Sequence, residues 1–275
     1  MENNTELETT NQDTNKNEFW AENDTVLDTA NTSENNEIIT ENQSAVNVKK
    51  KDSFFTTRKL AIMGIMSALA FVLTWVRFPL PFMFPAFLEF QISELPALFV
   101  GFLLGPIHGG IVVIIKSLLD LATMRGTGTM FIGNLSNLIV DLAFVLSASV
   151  IYHIMIKEFK LKNKSLKATN AITAIVSLSA GVLVGTGIAI LANWLIVIPL
   201  FVRVMFEGSW MPLLGMTSVL YPNITVETFY RYYLSAAVLP FNILRLSISA
   251  VIAFFTYKVL KPYTLSKKKK TEKTE

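Results

Sequence analysis

The chain has 275 residues, of which 52% are apolar and only 16% are charged, a composition that excludes an ordinary water-soluble globular protein and favours a membrane protein. It has no cysteine, which excludes a disulfide framework, a thiolate metal site and a cysteine nucleophile. The net charge of +3 combines an acidic N-terminal segment with a body rich in lysine and arginine.

Residues 1–52 are predicted to be a disordered, acidic N-terminal extension. Residues 1–47 contain eleven acidic residues and a single lysine, Lys16, and they are rich in asparagine and threonine. Such a segment cannot bury enough apolar surface to offset the entropy lost on ordering. It also lacks the basic start and apolar core of a signal peptide.

Six apolar stretches follow, and each is predicted to be a membrane-spanning helix, for which about 20 apolar residues are needed. They cover residues 60–76, 92–104, 107–124, 130–156, 170–202 and 234–260. We expect Pro96 to interrupt the second stretch, Gly105-Pro106 to end it, and Pro199 to kink or end the fifth. The predicted fold is an all-α membrane protein with a six-helix domain at residues 53–263 and a basic tail at residues 264–275.

Two connecting segments are unusual. Residues 78–91 contain three prolines and five phenylalanines, which predicts a re-entrant or interfacial loop between the first and second spans. Residues 203–233 are predicted to be a polar and aromatic loop that acts as a lid or an aromatic belt outside the membrane.

Lysine and arginine set the predicted orientation. They are concentrated before the first span, after the fourth and after the sixth, so these regions and both termini are predicted to be cytoplasmic. The sequence therefore predicts a multi-pass protein of the cell membrane. Lys267 to Lys270 are interpreted as part of this charge asymmetry, and contact with anionic lipid or nucleic acid is the alternative.

Polar side chains recur inside three of the spans. Asn134, Asn137 and Asp141 share one helix face at i, i+3 and i+7, and Asn193 lies in the next span. Asn242 and Arg245 lie three residues apart in the last span. Charged groups within a bilayer cost about 2.5–3.5 kcal/mol, so they face a helix-bundle interior or a cavity. A ligand pocket is favoured, and hydrogen bonding between helices is the alternative.

Two further features lie in the first and third spans. Lys116 and Asp120 are four residues apart, so an intrahelical ion pair and a ligand contact are equally supported. Ala61, Gly64 and Ala68 form a strip of small residues that would let another helix approach closely.

Several motifs are missing from the sequence. It contains no GxxxxGK, HExxH or GxSxG, and its two histidines, His108 and His153, are far apart. We therefore predict no catalytic residue, no metal site, no cofactor and no ATPase site. An intramembrane enzyme and a ligand-free membrane scaffold are the alternatives to a binding protein.

One family combines these features. The segment FPLPFMFPAFLEFQISELPALFVGFLLGPIHGGIVVIIKSLLDL, followed by IGNLSNLIVD, resembles the substrate-binding subunits of energy-coupling-factor vitamin transporters, above all the riboflavin-specific type. The resemblance extends over residues 58–260. It includes PFNILR, from Pro240 to Arg245, and Asn193 near the end of the fifth span.

This resemblance implies an outward-facing pocket for riboflavin, the transported ligand. It also implies partners: a membrane coupling subunit, which the Ala61, Gly64 and Ala68 strip would contact, and two cytoplasmic ATPases. Membrane lipid surrounds the protein, and no nucleic acid is involved. A modified flavin or another vitamin is the alternative ligand. The candidate substrate-binding residues are Asn193, Asn242, Arg245, Asn137, Asn134, Lys116, Phe87 and Leu88.

Overall fold

The computed structural model of the protein describes residues 55–123, 130–161 and 166–271. The chain separates into two units, Met1–Thr56 and Thr57–Glu275, and the second contains the described helices. The predicted acidic extension at residues 1–52 and residues 272–275 of the predicted tail lie outside the described residues.

Helices form most of the second unit. The α-helices are α1 (Thr57–Leu73), α2 (Leu95–Leu104), α3 (Pro106–Ala122), α4 (Met130–Leu161), α5 (Leu166–Ala192), α6 (Ile198–Leu200), α7 (Met211–Ser218), α8 (Val226–Tyr232) and α9 (Leu239–Thr271). Wider π-helical turns join some of them: π1 (Asn193–Val197), π2 (Phe201–Met205) and π3 (Tyr233–Val238). The helix α9 passes through residue 264, where the basic tail was predicted to begin.

Three of these helical stretches are long and apolar enough to cross a membrane: Phe131–Phe159, Ala171–Met205 and Val226–Thr256. The helices α1 and α3 have 17 residues each, or about 26 Å at 1.5 Å per residue, and α2 has only 10. The hydrocarbon core of a bilayer is about 30 Å thick. The described part of the chain is therefore a mostly helical membrane protein with three clear spans, and α1, α2, α3 and α7 are shorter helices outside them.

Residues 78–91 form a small hairpin rather than helix. The strands β1 (Phe78–Pro79) and β2 (Glu89–Phe90) pair antiparallel, with Phe78 opposite Phe90. The turn is held by backbone hydrogen bonds from Met83 and Phe84 to the carbonyl of Leu80. This hairpin is the departure from a purely α-helical fold within the described residues.

Pro96 acts differently from the prediction, and Pro199 does not end its helix, which was one of the two effects predicted for it. Pro96 does not interrupt α2, because it lies in the first turn, where a missing N–H group costs no intrahelical bond. Pro199 does not end the fifth helical stretch, which continues to Met205 because π-helical turns flank the proline on both sides. The break at Gly105-Pro106 is confirmed, since Gly105 has φ of +119° and α3 starts at Pro106.

The predicted loop at residues 203–233 is largely helical. The fifth stretch extends into it through π2, and α7 and α8 occupy most of the rest. Thr225 starts α8 with a capping box, in which its hydroxyl accepts from the Thr228 N–H and the Thr228 hydroxyl accepts from the Thr225 N–H. The prediction of a loop was wrong for most of this segment, because Tyr230, Tyr232 and Tyr233 belong to helical turns.

Small residues allow α2 and α3 to pack closely. A Cβ atom added at Gly109 would lie 2.9 Å from both the Ala97 carbonyl oxygen and the Gly101 Cα atom. Both neighbours are backbone atoms and cannot rotate away. The helix α1 packs with a face of Met63, Ser67 and Ala70, whereas nothing lies within 4 Å of a Cβ added at Gly64.

We expect Gly109→Ala to lower the melting temperature of the detergent-solubilised protein, because α2 and α3 must move apart. Gly64→Ala is the matched control, since it adds the same methyl group to open space and removes glycine from a helix. It should leave the melting temperature unchanged or raise it. Equal destabilisation by both substitutions would contradict the close packing of α2 and α3.

Candidate ligand-binding site

A buried set of ion pairs ties three helices together. The Lys116 Nζ atom on α3 donates to the Asp141 Oδ2 atom on α4 at 2.6 Å. The other carboxylate oxygen of Asp141 accepts from the Arg245 Nη2 atom on α9. Lys116 is 2% exposed, Asp141 0% and Arg245 1%. Because each charge has lost its water, each depends on its partner.

A second carboxylate extends this set. Glu94, directly before α2, has its Oε2 atom 3.7 Å from the Arg245 Nη2 atom. The Ser249 hydroxyl on α9 donates to Glu94 Oε1 at 2.6 Å. Lys116 also donates to the Ser93 hydroxyl. Lys116, Asp141, Arg245, Glu94, Ser93 and Ser249 are hereafter the floor cluster.

Lys116 and Asp120 do not form the intrahelical ion pair that was one of the two interpretations of their spacing. Lys116 is paired with Asp141, and Asp120 is paired with Arg77, whose Nη2 atom lies 3.0 Å from Asp120 Oδ1. The two side chains are only four residues apart, but stronger partners reach them from neighbouring elements. Spacing along one helix does not reveal such partners.

Arg77, Asp120 and Glu89 form a second charged group, the rim cluster. Arg77 follows α1, Asp120 is on α3 and Glu89 is on β2. The Arg77 Nη1 atom is 3.8 Å from Glu89 Oε2, and the Thr74 hydroxyl donates to Asp120 at 3.3 Å. Burial raises the pKa of the Glu89 carboxyl, and the Arg77 charge opposes that rise.

A cavity lies between the two clusters. It contains about 600 Å³ of empty space, open solvent at its mouth included. Its walls come from the hairpin, the start of α4, the end of the fifth helical stretch and the start of α9. The lining residues are Arg77, Phe87, Leu88, Glu89, Gly133, Asn134, Ser136, Asn137, Val140, Asn193, Val197, Phe201, Tyr233, Phe241, Asn242 and Arg245.

The π-helical turns supply four of these lining residues: Asn193, Val197, Phe201 and Tyr233. In each turn the closing N–H group bonds to the carbonyl five residues earlier, as from Ile198 to Asn193. The extra residue per turn widens the helix and changes which side chains face inward. Such turns occur frequently at functional sites.

Two of the asparagine amides in the wall, those of Asn193 and Asn242, are anchored to their own helices. The Asn193 Nδ2 atom donates to the Ala189 carbonyl at 2.8 Å, and Asn242 Nδ2 donates to the Val238 carbonyl at 2.9 Å. The Tyr233 hydroxyl donates to Asn193 Oδ1 at 3.4 Å. An amide has two donor hydrogens and an acceptor oxygen, so each anchored group retains hydrogen-bonding capacity.

Asn137 belongs to the same wall and contacts the floor cluster. Its Oδ1 atom accepts from the Arg245 Nη1 atom at 3.0 Å. The guanidinium is thus held by Asn137 on one terminal nitrogen and by Asp141 on the other. The Arg245 Nε atom is buried without a hydrogen-bond partner among the described residues.

Aromatic rings form the apolar part of the wall. The Phe87 ring centroid is 5.9 Å from that of Tyr233 and 5.7 Å from that of Phe201. Tyr233 stacks in turn on Phe229, at 5.1 Å and an interplanar angle of 19°. Such rings can cover a flat ligand by offset stacking.

The structure brings seven of the eight predicted substrate-binding residues to this cavity: Asn193, Asn242, Arg245, Asn137, Asn134, Phe87 and Leu88. The eighth, Lys116, lies behind the wall and holds Asp141. Ala61, Gly64 and Ala68 lie elsewhere, on an exposed strip of α1.

Other lining residues were missed, notably Arg77, Glu89, Phe201 and Tyr233. Arg77 could have been identified from the sequence, because a cation at the end of an apolar stretch is a candidate functional residue. Tyr233 was assigned to a loop, although it follows Phe229 by four residues, the spacing of one helix face.

We expect Asp141→Asn to lower the free energy of unfolding by about 3–5 kcal/mol, because two buried cations lose a shared anion. Adding Lys116→Met should recover part of the loss, since it removes one of these cations. Thermal melting in detergent measures both variants. A double variant no more stable than Asp141→Asn would contradict the role of charge balance.

Comparisons with known proteins agree with this architecture. The family model described as "ECF transporter, substrate-specific component" matches residues 58–257. The riboflavin transporter RibU of Staphylococcus aureus (strain TCH60) is 25% identical over 215 residues, 78% of this chain and 96% of the relative. The riboflavin transporter FmnP of Bacillus subtilis (strain 168) is 23% identical over 206 residues, 75% of this chain and 93% of the relative.

A solved structure is also similar. It shows the S component of a bacterial ECF transporter, is 26% identical, and superposes with a TM-score of 0.52 over 75% of this chain and 97% of that chain. The resemblance drawn from the sequence motifs is thereby confirmed. Since the family model covers most of the chain, the protein belongs to the family of substrate-specific components of ECF transporters.

Proposed function

We propose that this protein binds riboflavin in the cavity between the floor and rim clusters and serves as its uptake subunit. The observation that carries the proposal is the lining itself, in which anchored asparagine amides and a fixed arginine face a wall of aromatic rings. Two similar proteins are riboflavin transporters by name, RibU and FmnP.

The chemistry of the lining suits a flavin. A flat heterocycle with alternating carbonyls and ring nitrogens needs neighbouring donors and acceptors, which Asn193 and Asn242 supply. Phe87 and Tyr233, which contact each other, provide a continuous aromatic surface against which such a ring can stack. Arg245 donates from the cavity floor, and Asn137 and Asn134 extend the polar wall on α4.

Lys116 acts on the cavity indirectly. It is bonded to Asp141, which holds the Arg245 guanidinium in place. Lys116 is therefore a positioning residue rather than a ligand contact.

The proposed topology has six spans, with the hairpin outside and both termini in the cytoplasm. In that topology the cavity is at the outer face, since its walls come from the ends of helices that would reach that side. The lysine-rich segments then lie on the cytoplasmic side of the bacterial cell membrane. The short helix α2 is the second of these spans, and its neighbours would cover the non-helical backbone on either side of it.

Transport against a gradient requires partners. The sequence has no GxxxxGK motif, so we assign ATP hydrolysis to two separate ATPases that act through a membrane coupling subunit. The exposed strip of Ala61, Gly64 and Ala68 on α1 is the proposed contact surface for that subunit. Family membership argues against an intramembrane enzyme and a ligand-free scaffold.

A modified flavin or another vitamin is the alternative ligand. It is supported by Arg245, since the resemblance of PFNILR to the riboflavin-specific subunits implies a lysine at this position. A guanidinium offers a planar set of donors where an ammonium offers a point charge.

Titration of the folded, detergent-solubilised protein with riboflavin should quench the fluorescence of the vitamin. Asn242→Ala should weaken binding by about 1–3 kcal/mol, the cost of a hydrogen bond lost in a buried site. Asn134→Ala should cost less, because Asn134 is only partly buried and water can replace it. Folded protein that binds no riboflavin at micromolar concentration would rule out the flavin assignment.

Gly64→Leu should abolish ATP-driven uptake in vesicles that contain the coupling subunit and both ATPases, while riboflavin binding persists. The side chain would hold the two helices apart, yet it meets nothing within this protein. Gly187→Leu is the matched control, because an added Cβ also meets nothing within 4 Å there. Uptake that survives Gly64→Leu, or that is lost equally in Gly187→Leu, would contradict the proposed contact surface.

A further inference from the structure

The rim cluster has more negative than positive groups. Arg77 is its cation, and Glu89 and Asp120 are its carboxylates. The Arg77 Nη1 atom faces Glu89 at 3.8 Å, and its Nη2 atom faces Asp120 at 3.0 Å. Both terminal nitrogens of this guanidinium are therefore already directed at carboxylates. An incoming anion would have to compete with two of them.

The floor of the cavity offers an anion no better partner. The two terminal nitrogens of Arg245 are bonded to Asn137 and Asp141, and Lys116 is bonded to Asp141 behind the wall. Arg245 is almost completely buried. A dianion placed there would lose its hydration and approach the Asp141 carboxylate, which is costly.

A ligand with one charged end would therefore keep that end at the rim. The Glu89 side chain is 31% exposed and lines the cavity, so it meets both water and ligand. A phosphate ester carries a charge of about −1.5 to −2 at neutral pH. Near Glu89 it would be repelled, and the repulsion is only partly screened at such a half-buried site.

We propose that Glu89 makes the cavity selective for the unphosphorylated flavin over its 5′-phosphate ester. Glu89 repels the phosphate directly, and with Asp120 it occupies the cation that would otherwise attract it. This inference rests on the proposed function, since it assigns the specificity of the same site. It concerns one carboxylate on the hairpin, which lies apart from the amides that recognise the ring.

The test compares two ligands on each variant. Dissociation constants for riboflavin and riboflavin 5′-phosphate are measured by fluorescence quenching on the purified full chain, and their ratio is the readout. The ratio cancels any general effect of a substitution on the pocket. Glu89→Gln should lower the ratio of the phosphate constant to the riboflavin constant by about fivefold, as expected for one charge at a half-exposed site.

A charge series separates electrostatics from shape. Glu89→Lys should lower the ratio further than Glu89→Gln, and the differences between variants should shrink as salt is added. The control is Glu227→Gln, on the exposed face of α8 and outside the cavity lining. It removes the same charge from the outer part of the chain and should leave the ratio unchanged.

The outcomes distinguish this inference from the proposed function. Folded wild-type protein that binds neither flavin would overturn the proposed function itself. Riboflavin binding with a ratio that is unaffected by Glu89→Gln and Glu89→Lys would overturn only the selectivity assigned to Glu89. An equal shift in Glu227→Gln would also overturn it, because the effect would then be one of overall charge.

Discussion

The double ion pair of Asp141 with Lys116 and Arg245 constrains the rest of the molecule. These residues lie on α3, α4 and α9, and all three are buried. Moving any of these helices by more than a few ångströms would leave an unpaired charge in a medium that cannot solvate it. The ion pairs therefore fix where the three helices meet, and that meeting point is the cavity floor. The guanidinium that faces the cavity is rigid because it is held on both terminal nitrogens.

The rim cluster connects the first helix to the same cavity. Arg77 follows α1 and bonds to Asp120 on α3 and to Glu89 on the hairpin. The proposed partner-contact strip lies on an exposed face of α1. A shift of α1 relative to α3 would separate Arg77 from Asp120 and release a charge into the cavity wall. In the proposed assembly, α1 would connect the partner contact with the charge at the cavity entrance, whereas the floor cluster contains no residue of α1.

Much of this could be predicted from the sequence, because membrane burial makes polar residues conspicuous. Asn137, Asn193, Asn242 and Arg245 were identified as inward-facing on that basis, and they line one cavity. Pairing between helices could not be predicted, since the partner of Lys116 lies 25 residues away and spacing suggested Asp120 instead. The π-helical turns were also missed. A proline such as Pro199 usually ends or kinks a helix, and no sequence pattern indicates that wider turns on either side will let the helix continue.

Asparagines inside membrane helices can either hydrogen-bond neighbouring helices or line a pocket, and the structure shows what Asn193 and Asn242 do. Asn193 and Asn242 each donate to the carbonyl four residues earlier, so they stabilise their own helices. Both also line the cavity. Asn193 is the first residue of π1, and the Val238 carbonyl that accepts from Asn242 belongs to the last residue of π3. The side-chain amide supplies a donor where the regular α-helical bonding pattern is interrupted, and this bond also fixes the orientation of the amide. The amide is therefore already ordered before a ligand binds. The entropic cost of fixing its orientation arises on folding and does not weaken binding.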